Sequence, residues 1–282
     1  MNGKEFSVVE DIPVDAAFHD VTVSKSGVFA VGEDGLVVRR QRTWEPVEKE
    51  FDGGNTLYGT SATDDGKRVW FAGGSGAAGY FDADAEETVE YEITADEHDY
   101  RSVAVSGPAD QEVVWAVDDN GTIYHGSPTG EEEAAWEWEQ DMPGSDASFT
   151  DIKYAPGVPV ATAEDGTAFV HTDDGWQDLG VGAVDALTSV AATGDGPFFG
   201  SDEYVYAPTE DGWTAEHVAE DTVTNLGSRG DQVFATTGDG DLLHRTNGDW
   251  STVDVDVDVA LNAVVARDHV VAVGDEGTIV EH

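Results

Sequence analysis

Cysteine is absent from this chain of 282 residues, which excludes disulfides and thiolate metal sites. Basic residues are scarce: 13 Lys and Arg stand against 59 Asp and Glu, a formal net charge of -46. Nucleic-acid binding needs a basic footprint, and none exists here. No apolar run approaches the length of about 18 residues that a membrane-spanning helix requires, so no membrane insertion is expected. The first residues, Met1 to Asp11, lack the apolar core of a secretory leader, and the expected location is cytoplasmic. Helical periodicity is missing as well. The His residues show neither the H-x-x-x-H nor the H-E-x-x-H spacing, so no metal or other cofactor is expected. No G-x-S-x-G elbow and no phosphate-binding loop occurs, and no catalytic set stands out.

What is present begins with the acid itself. It is spread over the whole chain rather than gathered into a tail, and only five of the 13 basic residues are Lys. Dispersed acid with little Lys fits a protein kept soluble in molar salt, where the Debye length falls to about 3 Å. Hydrophobic residues make up 39%, enough for a sizeable core.

A repeated phrase sets the fold class: an apolar strand, a tight acidic or small turn closing on Gly, then a second apolar strand. It reads Phe29-Ala-Val-Gly-Glu-Asp-Gly35 at first occurrence and Val271-Ala-Val-Gly-Asp-Glu-Gly277 at the last. The anchors fall at Gly35, Gly76, Gly121, Gly166, Glu203, Gly240 and Gly277, spaced 41, 45, 45, 37, 37 and 37 residues. Glu203 marks the degenerate copy. An apolar segment precedes each hairpin and an aromatic strand follows most of them, with Trp44, Trp136 or Trp138, Trp176, Trp213 and Trp250 in the outer position. Each unit therefore holds about four short strands, the content of one propeller blade. The reading is all-β: a seven-bladed β-propeller of four-stranded antiparallel blades, one domain over 1–282. After Gly277 only five residues remain, so residues 1–17 are expected to complete the seventh blade with 261–282.

The wording of the units resembles two propeller groups. Val273-Gly-Asp-Glu-Gly-Thr-Ile279 is similar to the repeats of photosystem II stability and assembly factor-like propellers. His171-Thr-Asp-Asp-Gly-Trp176, Thr209-Glu-Asp-Gly-Trp213 and Thr246-Asn-Gly-Asp-Trp250 resemble Asp-box turns, the class that includes sialidases. The first resemblance implies a protein-binding scaffold. The second implies a triad of Arg gripping a carboxylate on the central face. Only Arg101 falls at the start of an inner strand, so sialidase chemistry is not carried over.

Candidate site residues follow from the blade order. Inner-strand starts converge on the axis from separate blades and place His19, Asp20, Tyr58, His98, Arg101, Asp151, Asn225 and Asn262 at the channel mouth. A guanidinium at Arg101 could clamp a carboxylate or phosphate. Hairpin tips on the same face carry Glu33, Asp34, Asp118 to Asn120, Glu164, Asp165, Asp202, Asp239, Asp275 and Glu276. These read as a ring for inorganic cations or a basic partner, or as ordinary turn acids bonding their own backbone. His125, His171, His244 and His282 occupy matching strand positions, expected to lie far apart round the ring. Trp70 and Trp115 read as packing between blades. Val253 to Val259 alternates with Asp, which puts all Val on one face. The longest insertions, 83–99 and 130–138, are natural places for a partner surface. The leading expectation is a non-enzymatic protein-interaction scaffold. The alternative is an enzyme or small-ligand binder, glycosidase-like or anionic-metabolite binding, acting at the channel mouth.

Overall fold

A computed structural model describes the chain except residues 1–5, 10, 11, 13, 48–50, 96, 131–135, 145, 146 and 156. Its 28 strands form seven separate four-stranded antiparallel sheets. In six of them the strands follow in chain order. In the seventh, Ser7–Val8 pairs with Ile279–Glu281 and so adds the N-terminal strand to Leu261–Ala266 and Val270–Gly274. Val9 N–H donates to the Ile279 carbonyl (2.8 Å) beyond that short ladder. Closure by the N-terminal strand is thus as expected from the chain ends; of residues 1–17, 1–5, 10, 11 and 13 lie outside the described residues.

The inner strands are Phe18–Ser24, Leu57–Ala62, Tyr100–Ser106, Phe149–Ala155, Ser189–Thr193, Val223–Arg229 and Leu261–Ala266. Each packs beside the next, and the last packs beside the first. The core lies between blades rather than within them. Every hydrophobic cluster joins two neighbours: Phe29, Val31 and Leu57, Phe71 link blades 1 and 2, and Phe234, Leu242 and Leu261, Val280 link blades 6 and 7. Burial of these side chains is what presses the sheets face to face. Trp70 is fully buried and meets Trp136 of blade 3 edge-on, with 5.0 Å between centroids. Trp115 likewise reaches Trp176 of blade 4 at 5.6 Å. Of the insertion 130–138, residues 131–135 lie outside the described residues, while Trp136 and Trp138 belong to the outer strand Trp136–Asp141.

Three details differ from the sequence reading. The outer strand of blade 6 stops at Val253, yet burial keeps alternating: Val255 and Val257 pack on the blade 6–7 core and Asp254, Asp256 and Asp258 face outward. The alternation records burial without a ladder partner. His125 and His171 are neighbours, because the Trp115 ring lies 4.5 Å from one and 5.1 Å from the other. Matching places on adjacent blades face each other across the interface. Asp118 is fully buried rather than exposed at a tip. Its carboxylate accepts from the N–H of Asn120 (3.0 Å) and Thr122 (2.8 Å) and from the Tyr124 hydroxyl (3.0 Å).

The hairpin tips come in more than one design. Blades 7, 1 and 2 use a Gly-x-x-Gly turn whose third residue, Glu276, Asp34 or Ser75, is left-handed at φ 54 to 56°. The first Gly of these turns is extended and is required by space. A Cβ on Gly274 would stand 2.0 Å from the Ala260 carbonyl oxygen. Gly274→Ala should therefore destabilise the fold by about 2 to 3 kcal/mol, read as a lower urea midpoint at unchanged slope. Unaltered stability would show that the ring can yield at that contact.

Candidate functional site

The inner strands carry a recurrent irregularity. In six of the seven, the register with the second strand slips by one residue near the start, a β-bulge. The bulged residues are His19, Tyr58, Arg101, Thr150, Thr224 and Asn262, and Thr188 holds the same place on blade 5. Bulges re-aim side chains, and here they turn these residues toward the next blade.

On blades 4 to 7 the bulged side chain is used to join blades. Thr150 Oγ1 donates to the Leu187 carbonyl (2.6 Å), and Thr188 Oγ1 to the Val223 carbonyl (2.6 Å). Thr224 Oγ1 donates to the Leu261 carbonyl (2.5 Å), and Asn262 Nδ2 to the Phe18 carbonyl (2.9 Å). Among the described residues, His19, Tyr58 and Arg101 make no such bond. They lean on one another instead: the His19 and Tyr58 rings are 5.4 Å apart, and the Arg101 guanidinium lies 5.2 Å from the Tyr58 ring centre. Cation–π contact of this kind contributes about 0.5–1 kcal/mol at an exposed site. An imidazole, a phenol and a guanidinium thus form one row across blades 1 to 3.

The row has a defined electrostatic setting. Arg101 is 3.7 Å from both Asp99 and Asp119, with its side chain 37% exposed, so neither carboxylate grips it closely. His98 lies beside it, its Nδ1 2.9 Å from Asn120 Nδ2. Burial holds the His19 imidazole below its ordinary value, although Glu33, Asp275 and Asp20 pull the other way. His19 is therefore neutral at pH 7 and can give or accept a hydrogen bond.

The residue after the bulge does a second joining job. Asp20 Oδ2 accepts from Thr60 N–H of blade 2 (2.8 Å), and Asp151 Oδ2 from Val190 N–H of blade 5 (3.1 Å). Asn225 Oδ1 accepts from Val264 N–H of blade 7 (3.2 Å). The Ser102 hydroxyl donates to Asp151 Oδ1 (2.7 Å). Asp20 and Asp151 are buried, and Lys153 places its ammonium 3.5 Å from the first and 3.6 Å from the second. Of the eight residues expected at the mouth, the structure brings His19, Tyr58 and Arg101 into one row with His98 alongside. Asp20 and Asp151 share Lys153, and Asn225 and Asn262 are spent on neighbouring backbone. Lys153 was not singled out from the sequence; its only signal was a Lys two residues after an Asp in a strand otherwise apolar.

The tip acids are largely committed to the fold. Glu33 Oε2 accepts from Ala17 N–H (3.2 Å), Asp165 Oδ1 from Thr167 N–H (3.1 Å), and Asp275 Oδ1 from Asn262 Nδ2 (2.8 Å). Among the described residues no group of three His, Asp or Glu side chains is arranged to hold a metal ion. No helix among them is long and apolar enough to cross a membrane.

Burial raises the pKa of Asp20, with Lys153 opposing. Burial would lower that of Lys153, but the Asp151 and Asp20 carboxylates outweigh it and the net direction is up. Lys153 therefore stabilises the fold wherever its carboxylate partners are ionised, and on the alkaline side that stabilisation is lost only as pH rises through its raised folded pKa. Asp20 behaves oppositely: a raised carboxyl burdens the fold above its folded pKa and ceases to do so as pH falls through it. Lys153→Met should cost about 3 kcal/mol at pH 7, by stranding two buried carboxylates. The deficit should shrink as pH is lowered toward 4, in urea titrations of both proteins. A deficit independent of pH would mean that packing, not charge, is what Lys153 supplies.

No family model and no curated protein matches this chain. Solved structures do. One described as YCF48 bound to D1 peptide superposes with a TM-score of 0.77 at 15% identity, covering 100% of this chain and 98% of that one. The WD40 propeller domain of Doa1 gives the same values. The structure of U3-55K has a TM-score of 0.75 at 10% identity, over 98% of each chain. At such identities the likeness establishes the propeller fold.

Proposed function

We propose that this protein is a non-enzymatic interaction scaffold, in which the chain 1–282 acts as one rigid propeller and a protein partner docks across the starts of the inner strands on blades 1 to 3. One observation carries this reading. The bulged position is spent on inter-blade bonds in blades 4 to 7 but holds His19, Tyr58 and Arg101 in blades 1 to 3, in contact with each other instead. Three adjacent departures from a structural rule, all to residue types favoured at binding hot spots or able to hydrogen-bond, suit recognition better than folding. Structural neighbours support the class of function: one is described with a bound peptide, and another forms part of a mitotic checkpoint complex. The assembly factor-like wording of the repeats points the same way. The dispersed acid suits a protein working in molar salt, and the tip acids could attract inorganic cations or basic partner side chains there.

A small anionic ligand at Arg101 is the competing reading, favoured by the loose 3.7 Å contacts that leave the guanidinium available. The surrounding carboxylates of Glu33, Asp99, Asp119 and Asp275 weigh against it.

The deciding experiment is capture from lysate at molar salt with wild type, Tyr58→Ala plus Arg101→Ala, and Thr188→Val. The double variant should keep its melting temperature within a few degrees yet lose a specific protein that wild type and Thr188→Val both retain. Equal capture by all three would remove the sector from the interface. Retention of phosphorylated metabolites or acidic sugars by wild type, lost with Arg101→Ala, would favour the small-ligand reading.

A further inference from the structure

The ring encloses a cavity of about 1390 Å³, lined by the ends of the inner strands and the turns after them, Lys25, Gly66, Gly107, Gly157, Gly230 and Asp268 among them. It thus opens on the face opposite the His19–Tyr58–Arg101 row. Its wall is mixed: Ala104, Ala191 and Gly227 share one level with Thr22, Ser61, Val265 and Lys153, whose side chain crosses toward Asp20 and floors the cavity.

The charges on this rim are exceptional for the molecule. Eleven of the 13 Lys and Arg are described, and seven of those sit within 4.0 Å of a carboxylate. Among the described residues the four without one are Lys25, Arg42, Arg229 and Arg267. Three of these four line the cavity. They sit on blades 1, 6 and 7, which are consecutive round the ring. Arg229 is held in place, its guanidinium donating to Gln232 Oε1 (3.1 Å) and to the Arg267 carbonyl (3.4 Å). Lys25 and Arg267 are exposed.

The acids on the same rim do not cancel this arc. Asp64 and Asp65 lie on blade 2, where Asp64 Oδ2 accepts from Gly107 N–H (3.0 Å) and Asp65 Oδ1 from Ala109 N–H (3.2 Å) and the Thr63 hydroxyl (2.9 Å). Asp268 stands inside the arc, and Asp231 of the blade 6 turn is directed toward Gly194 of blade 5, at the arc's edge. Deeper in the channel the sign reverses, because Asp20 and Asp151 share the single cation of Lys153. The level of Asn225, one residue into the register beyond the bulge, lies four residues from Arg229 along one strand, about 13 Å at the usual rise. An anionic group is thus attracted at the rim and turned back at the floor.

We propose that this rim is a docking site for an acidic, extended segment of a protein partner, its carboxylates on Lys25, Arg229 and Arg267 and its backbone in the cavity mouth above Lys153. In a chain of net charge -46, leaving three cations unpaired at one mouth is a costly choice unless an anion supplies the missing partner. The site is separate from the blade 1 to 3 row and does not rest on it.

Fluorescence anisotropy with labelled hexaglutamate, hexaglutamine and hexalysine tests it, at low salt, on the full chain. Hexaglutamate should bind saturably at one site despite the repulsion of the whole protein. Lys25→Glu plus Arg267→Glu should weaken it about tenfold, while Arg42→Glu and Arg101→Ala should leave it within twofold. Thermal melts confirm that each variant is folded. Hexaglutamate binding no better than hexaglutamine, or a loss with Arg42→Glu equal to that of the rim variant, overturns the proposal. So does tight binding of tripolyphosphate with none of hexaglutamate, which would make the rim a phosphate site. Loss of lysate capture with Tyr58→Ala and Arg101→Ala, with peptide binding intact, separates the two faces.

Discussion

Neighbouring blades in this ring share no ladder hydrogen bonds, and most of the molecule's polar architecture answers that constraint. Seven separate sheets stand side by side, so the backbone groups of each inner strand that face the next blade need partners from side chains. Asp20, Asp151 and Asn225 supply acceptors to Thr60, Val190 and Val264, while Thr150, Thr188, Thr224 and Asn262 supply donors to carbonyls one blade on. Carboxylates are stronger acceptors than amides, but two of them inside the ring require a cation, and Lys153 follows from that requirement. The same logic recurs at the rim of the disc. The indole N–H of Trp44 bonds Glu281 at 2.7 Å and that of Trp250 bonds Glu216 at 2.7 Å, each reaching the preceding blade.

A repeat protein makes atypical positions visible by where they break the repeat. Thr suits the bulge because it is short, stiff at its first torsion, and able to donate one bond at fixed geometry. His, Tyr and Arg at the equivalent places are larger than the joint requires and do not make it. The row they form has Asp99 and Asp119 at a loose 3.7 Å from one end and the neutral imidazole of His19 at the other. Blades 2 and 3 are joined by the aromatic interface of Trp70, Tyr91 and Trp136 and by Arg68, which bonds the buried Glu112 at 2.7 Å and lies over the Tyr80 ring.

Charge is distributed with similar purpose. Acids dominate the whole surface, but the tip acids are tied to turns, and the described basic residues are mostly tied to acids. Three of the four exceptions among the described residues, Lys25, Arg229 and Arg267, gather at one mouth. The disc thus presents two unlike faces, an acidic one with an aromatic row and one with three unpaired cations around an open cavity.

The sequence by itself determined the blade count, the strand order and the closure, because a hairpin anchored on Gly35, Gly121 or Gly277 is a local signal repeated at a near-constant interval. It also placed His19, Tyr58 and Arg101 at one mouth, since strand starts must converge in a ring. Trp70 and Trp115 were legible as interface residues for the same reason. What it could not separate was a side chain that faces a ligand from one that bonds the next blade. Asp20, Asp151, Asn225 and Asn262 carry the same chemistry in either role, and their partners lie 39 or more residues away or, for Asn262, across the closure of the ring. The Lys153 link to Asp20, the pairing of His125 with His171 around Trp115, and the arc of Lys25, Arg229 and Arg267 likewise exist only once blades pack side by side. Strand periodicity is a property of neighbours in sequence; charge balance inside a closed ring is a property of neighbours in space, and only the tertiary structure decides it.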